Sequence, residues 1–156
     1  MAGQTVTVRR EILAEPLAVW NVVTDIDRAA RILTAVEKTE RLAGGDFEVG
    51  TRWAETRREM GRVATEEMWV TEAVAPTRAV IASEAGGVRY STVIECQTSS
   101  LGTTLVFTFV AATENAGVGQ RLLFALIGKA GVKAAKSALE RDLADIAAAV
   151  EHRARR

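Results

Sequence analysis

Glu55, Arg57 and Glu66 are the residues of this sequence best placed to do chemistry. Side chains two apart on a strand share a face. In 50–59 this puts Trp53, Glu55, Arg57 and Glu59 together, and in 62–73 the more apolar set is Ala64, Glu66, Met68 and Val70. A buried carboxylate is costly unless paired, so an arginine flanked by two glutamates on an inward face is physically sensible. Such a group has three possible uses. It can anchor a ligand hydroxyl or carbonyl in an apolar pocket. It can supply a desolvated carboxylate as an acid or base. Or it is only a charge-paired rung at the open end of a sheet, touching water.

Other chemistries are excluded by residue type. His152 is the only histidine and lies five residues from the end. This removes a buried Ser/His/Asp triad, a Cys–His pair and a histidine metal site within the fold. Cys96 is alone, so no internal disulfide forms, and it reads as a small inert hydrophobe. Asp25 and Asp27 resemble a metal pair, but with no further ligand nearby Asp25 is better read as a helix cap. The Gly-Gly pairs fit neither G-x-G-x-x-G nor a P-loop. No metal, cofactor or nucleotide is expected.

The 156 residues carry 20 basic and 20 acidic side chains, which argues against nucleic acid as a partner. A hydrophobic content of 48% with 26% charged is that of an ordinary globular chain, and one domain over 1–156 is expected. The start lacks the apolar core of a signal peptide, and no apolar run reaches membrane-spanning length. The expected location is therefore cytoplasmic.

The elements that must position these residues follow from periodicity. Thr5 to Leu13 alternates as a half-buried strand. Pro16 suits the first turn of a helix carrying Leu17, Trp20 and Val23 or Thr24 on one face, and a second short helix is predicted over Ile26 to Leu33. Turn signals at Gly44-Gly45-Asp46, Met60-Gly61, Ala75-Pro76-Thr77, Gly86-Gly87 and Ser99-Ser100-Leu101-Gly102 separate strands at 36–43, 50–59, 62–73, 78–85, 88–97 and 103–112. In the last two, Tyr90, Thr92, Ile94 and Cys96 form one inward set, and Leu105, Phe107 and Phe109 the other. Trp69 shares its face with Glu67 and Thr71 and is expected to be partly exposed.

From Val118 to Glu151 the chain has no proline. Val132, Ala135, Leu139, Leu143, Ile146 and Val150 step by threes and fours along one helical face. Lys133, Glu140, Arg141 and Asp145 fall on the other. Unbroken, this segment spans roughly 50 Å. Its Leu122–Ile127 stretch is apolar all round, which suits burial, a ligand portal or a homodimer contact. Gly128 and Gly131 are candidate sites of a bend or of close packing.

Several stretches resemble one family. They are the strand ending in Ile12-Leu13-Ala14, the proline with Val19-Trp20 after it, Gly50-Thr51-Arg52-Trp53, Gly102-Thr103-Thr104 before the last strand, and the closing helix. Together they make the chain resemble the START-like (SRPBCC) superfamily, and within it the polyketide cyclase/dehydrase and lipid-transport group. The resemblance implies an α+β helix-grip fold. In it a seven-stranded curved antiparallel sheet wraps a long C-terminal helix, with two short helices after the first strand and an apolar cavity between. It also implies a small hydrophobic ligand, lipid or polyketide-like.

Combined with the inward faces, this makes Trp53, Glu55, Arg57, Glu66, Met68, Tyr90, Phe107, Phe109, Leu122 and Leu126 the candidate ligand-binding residues. No catalytic set is visible. A polyketide cyclase, aromatase or dehydratase, or a protein-interaction module using the long helix, are the alternatives to a simple binder. An inward, partner-poor carboxylate or tyrosine favours the enzyme.

Overall fold

The computed structural model describes residues 4–85, 88–112 and 118–154. Seven strands form one antiparallel sheet: β1 (Gln4–Ile12), β2 (Val36–Ala43), β3 (Arg52–Glu59), β4 (Arg62–Val74), β5 (Arg78–Ala85), β6 (Val88–Ser99) and β7 (Gly102–Ala112). Their order is β1-β7-β6-β5-β4-β3-β2. Strands β2 to β7 are thus a meander of sequential neighbours, and β1 returns to pair with β7. Register shifts in β2 and between Val70 and Glu72 of β4 mark bulges, which bend a sheet locally.

Helix α1 (Pro16–Val23) begins with its proline at the first turn, where no N–H is needed. A 3₁₀ turn at Ile26–Arg28 and the short helix α2 (Ala29–Ile32) follow. Asp25 does not cap this segment with its side chain, contrary to the sequence reading. Its carboxylate instead lies 3.8 Å from Arg28. Helix α3 (Val118–Ala154) is continuous for 37 residues, through Gly128 and Gly131.

The core forms where the C-terminal half of α3 crosses β1 and α1. Leu143, Ile146, Ala147 and Val150 are buried against Val6, Val8, Ile12, Val19, Trp20 and Leu105. The stripe read from the sequence is therefore the packed face. Two residues placed on the opposite side are not idle, however. Asp145 accepts hydrogen bonds from the Thr34 amide at 2.8 Å and the Thr34 hydroxyl at 2.9 Å. Arg141 holds Glu59 of β3 at 2.6 Å. Glu151 accepts from the Leu13 amide, so the helix is pinned to the segments around both short helices.

Two of the motifs that carried the resemblance have a steric reason. Gly102 opens β7 with φ +134°, and a Cβ there would lie 2.6 Å from the Ala14 carbonyl oxygen. Glycine alone permits that approach. Thr51 is buried. Its hydroxyl donates to the Asp46 carbonyl at 2.6 Å and accepts from the Glu48 amide at 3.4 Å. That fixes the 44–50 loop and turns Phe47 inward, edge-on to Trp20 at 6.0 Å and tilted against Trp53 at 6.5 Å.

Candidate functional site

Among the described residues, two chambers lie between the sheet and α3. The smaller, about 120 Å³, sits beneath α1 and α2, and Phe47, Trp53, Ile81, Ile94, Phe107 and Ile146 are among its walls. The larger, about 520 Å³, lies toward the β3–β4 hairpin, and Met60, Glu66, Ser83, Tyr90, Phe109 and Ala135 are among its walls. Glu55, Arg57, Met68, Thr92, Leu139 and Asp142 line both. They form the partition between the two spaces.

Alternation along β3 brings Trp53, Glu55, Arg57 and Glu59 to one face, as the period of two requires. Trp53 and Glu55 are buried. The Arg57 guanidinium organises the partition. Its Nη2 lies 2.7 Å from each carboxylate oxygen of Asp142, and Nη1 is 3.2 Å from Glu55 Oε1. Its Nε is 3.5 Å from Glu59, which Arg141 holds from the other side. The second oxygen of Glu55 accepts from the Trp53 indole N–H at 3.3 Å. Consecutive residues of α3, Arg141 and Asp142, thus clasp one strand.

Burial opposes charge on Arg57, but Asp142, Glu55 and Glu59 outweigh it and hold its pKa above the ordinary arginine value. For Asp142 the balance reverses. Burial lifts its pKa, Arg57 pulls it down, and the nearby Glu55 charge adds to the rise, so the net shift is upward. One cation shared among three carboxylates explains both directions. Arg57 is therefore largely engaged by the protein, which leaves it little to offer a ligand oxygen.

The structure also redistributes the predicted set. Glu66 is not a partner of Arg57. It lies across from Glu55 in the β3–β4 register, is exposed, and faces the larger chamber. Residues 62–67 of β4 are all exposed, and among the described residues none of the side chains of α3 buries them. Trp53 and Phe107 line the smaller chamber, Tyr90 and Phe109 the larger, and Met68 both. Leu122 and Leu126 belong to α3, but their side chains fall outside the described residues.

Asp142 was missed because the charged residues of α3 read as its solvent side. Yet it stands three residues after Leu139 and four before Ile146, on the apolar face. Phe47 was hidden in a glycine-rich turn. Its only signal was an aromatic residue just before Gly50-Thr51.

Tyr90 stacks on Phe109 with ring centroids 5.6 Å apart and planes at 20°. Burial, aided by the Glu66 charge, raises the Tyr90 pKa, so its hydroxyl stays protonated at neutral pH. Cys96 is buried in the core, with its thiol pushed up to about 11 by desolvation, and is unreactive as a thiolate. Trp69 lies half-buried on the other face, with Arg52 4.6 Å above its ring. Among the described residues no helix is long and apolar enough to cross a membrane.

A meandering antiparallel sheet, a long C-terminal helix and an apolar space between them define a START-like, helix-grip protein. The chain belongs to the polyketide cyclase/dehydrase and lipid transport family, whose model matches residues 3–151. Comparison with curated protein sequences gives no match.

Solved structures of similar fold include the ZhuI aromatase/cyclase of Streptomyces sp. R1128. It is 22% identical, with a TM-score of 0.74 over 98% of this chain and 96% of that one. TTHA0849 of Thermus thermophilus is 22% identical, with a TM-score of 0.70 over 94% of this chain and 99% of the other. Ara h 8.0201 is 13% identical, with a TM-score of 0.70 over 97% and 99%. At these identities the likeness is one of fold.

Proposed function

We propose that this protein binds a small, largely apolar molecule, polyketide-like or lipid, in the two chambers between sheet and helix. The observation that carries the reading is the larger chamber. Its 520 Å³ falls within the range of small-molecule sites, about 300–1,000 Å³. Its walls set Met68, Phe109, Leu139 and the alanines of α3 beside a larger share of charged and hydroxyl side chains than such sites usually carry. The family description, which joins polyketide cyclisation to lipid transport, supports the same class of ligand.

A second reading is an enzyme of the cyclase or dehydratase kind. It draws on two side chains of the larger chamber, Tyr90 and Glu66, neither of which has a hydrogen-bond partner among the described residues. Tyr90, held protonated, is suited to give a proton or a hydrogen bond to a substrate oxygen, and Glu66 to accept a proton.

The test is to fill the partition. Leu139 is half-buried and lines both chambers. Leu139→Trp is expected to abolish binding of the neutral fluorescent probe N-phenyl-1-naphthylamine while leaving the cooperative melting transition in place. A folded variant that binds the probe as the parent does would overturn the reading. Native mass spectrometry of the purified protein would then name the compound class of any ligand carried through purification.

A further inference from the structure

We infer that the larger chamber selects a flat aromatic ligand that donates hydrogen bonds and carries no acid group. This rests on the binding reading above and refines it. Glu55, Glu59, Glu66 and Asp142 line the chamber, against Arg57 and Arg62. Arg57 is taken up by Asp142 and Glu55, and Glu59 by Arg141. Arg62 is exposed at the rim, opposite Glu59 in the β3–β4 register. That leaves Glu66 without a cation among the described residues, directly across from the buried Glu55.

Like charges directly opposite one another on a sheet are destabilising. A ligand carboxylate or phosphate brought here would add to that repulsion. A ligand hydroxyl or ammonium would relieve it, because an ionised carboxylate offers acceptors only.

A second, independent feature points to a polar group on a planar ligand. Ser83 is only 5% exposed, lines the chamber, and pairs across strands with Tyr90. Its hydroxyl has no hydrogen-bond partner among the described residues, and neither has that of Thr92 beside it. Ser83 Oγ is not among the buried side-chain atoms without a partner, so it opens on the chamber, and a ligand polar group there would take the place of water. Beside these hydroxyls, the stacked Tyr90–Phe109 pair presents two nearly parallel rings, a surface suited to a planar ring more than to a flexible alkyl chain.

The experiment uses four probes that share one ring system: naphthalene, 2-naphthol, 2-naphthylmethylamine and 2-naphthoate. Their dissociation constants for the full chain are measured near neutral pH at low salt. The naphthol and the amine are expected to bind at least about tenfold more tightly than the naphthoate, with naphthalene between them. That contrast is of the size expected for a single charge in a partly desolvated site. Glu66→Gln should narrow the gap between amine and naphthoate by several-fold and leave naphthalene unchanged, and Ser83→Ala should weaken the naphthol alone.

Equal or tighter binding of the naphthoate overturns the inference while the binding reading stands. So does a full gap in Glu66→Gln, which would place the ligand elsewhere. Failure of all four probes, naphthalene included, overturns the binding reading itself and the inference with it.

Discussion

Arg57→Met should be the most informative single change in the partition. The Glu55 and Asp142 side chains are each 8% exposed and the Arg57 side chain is 28% exposed. Removing one partner from a buried ion pair costs about 3–5 kcal/mol, because the remaining charge is left desolvated. Water in the adjoining chamber moderates this, so a cost of about 3 kcal/mol is expected at neutral pH. Urea titration reads the loss as a lower midpoint with an unchanged slope.

The pH dependence follows from Asp142. Its pKa is already raised in the folded protein by burial, and Arg57 is a force holding it down. In the variant it rises further. A carboxyl whose folded pKa exceeds its unfolded value, roughly 3.9 for aspartate, favours folding fully below the unfolded value. That contribution is lost as pH rises through the folded value. The cost of Arg57→Met should therefore shrink as the titration is repeated at progressively lower pH, as Asp142 of the variant takes up its proton. Adding Asp142→Leu should recover part of the loss at neutral pH, since apolar replacement of a buried pair is often neutral or favourable. A cost below about 0.5 kcal/mol at neutral pH, or one independent of pH, would show that these charges are effectively solvated.

Three further substitutions probe the frame. Leu143 is 1% exposed, so Leu143→Ala should cost about 2–5 kcal/mol in denaturant titration. Leu139→Ala should cost distinctly less, because Leu139 faces the chambers; equal losses would mean that the chambers are closed in solution. Gly102→Ala combines φ +134° with a 2.6 Å approach to the Ala14 carbonyl oxygen. It should cost on the order of 1–3 kcal/mol, and a thermal melt matching the parent would show that the β1–β7 junction yields freely.

Much of this was legible in the sequence. Six hairpin-spaced strands and the 132–150 stripe pointed to the sheet and its helix, because both periodicities are enforced by burial on one side. The same alternation placed Trp53, Glu55 and Arg57 on the inner face. It marks the side but not the extent of cover, and so Glu66 reads as a buried partner although it stands on an uncovered stretch of β4. Asp142 was lost for the opposite reason. Charge on a helix usually means solvent, and only its spacing from Leu139 and Ile146 marks it as inward. The fine geometry of the Phe47 loop depends on local bonds from Thr51 to Asp46 and Glu48 and on main-chain pairing of Gly50 and Thr51 with Val70, and the second of these has no local signal.

That loop divides the fold into parts with different freedom to change. The strands are coupled to one another by their ladder, and a residue altered there disturbs neighbours on both sides. Phe47 hangs instead from a short span whose shape is set by one threonine hydroxyl and by the left-handed conformations of Gly44 and Gly50. The depth of the smaller chamber is therefore adjustable at one side chain without touching sheet pairing. Replacing Phe47 by a smaller apolar residue would open space toward Trp20 and Trp53 while the threonine kept the backbone in place. A scaffold arranged this way can be refitted to ligands of different length by exchanging a single insert.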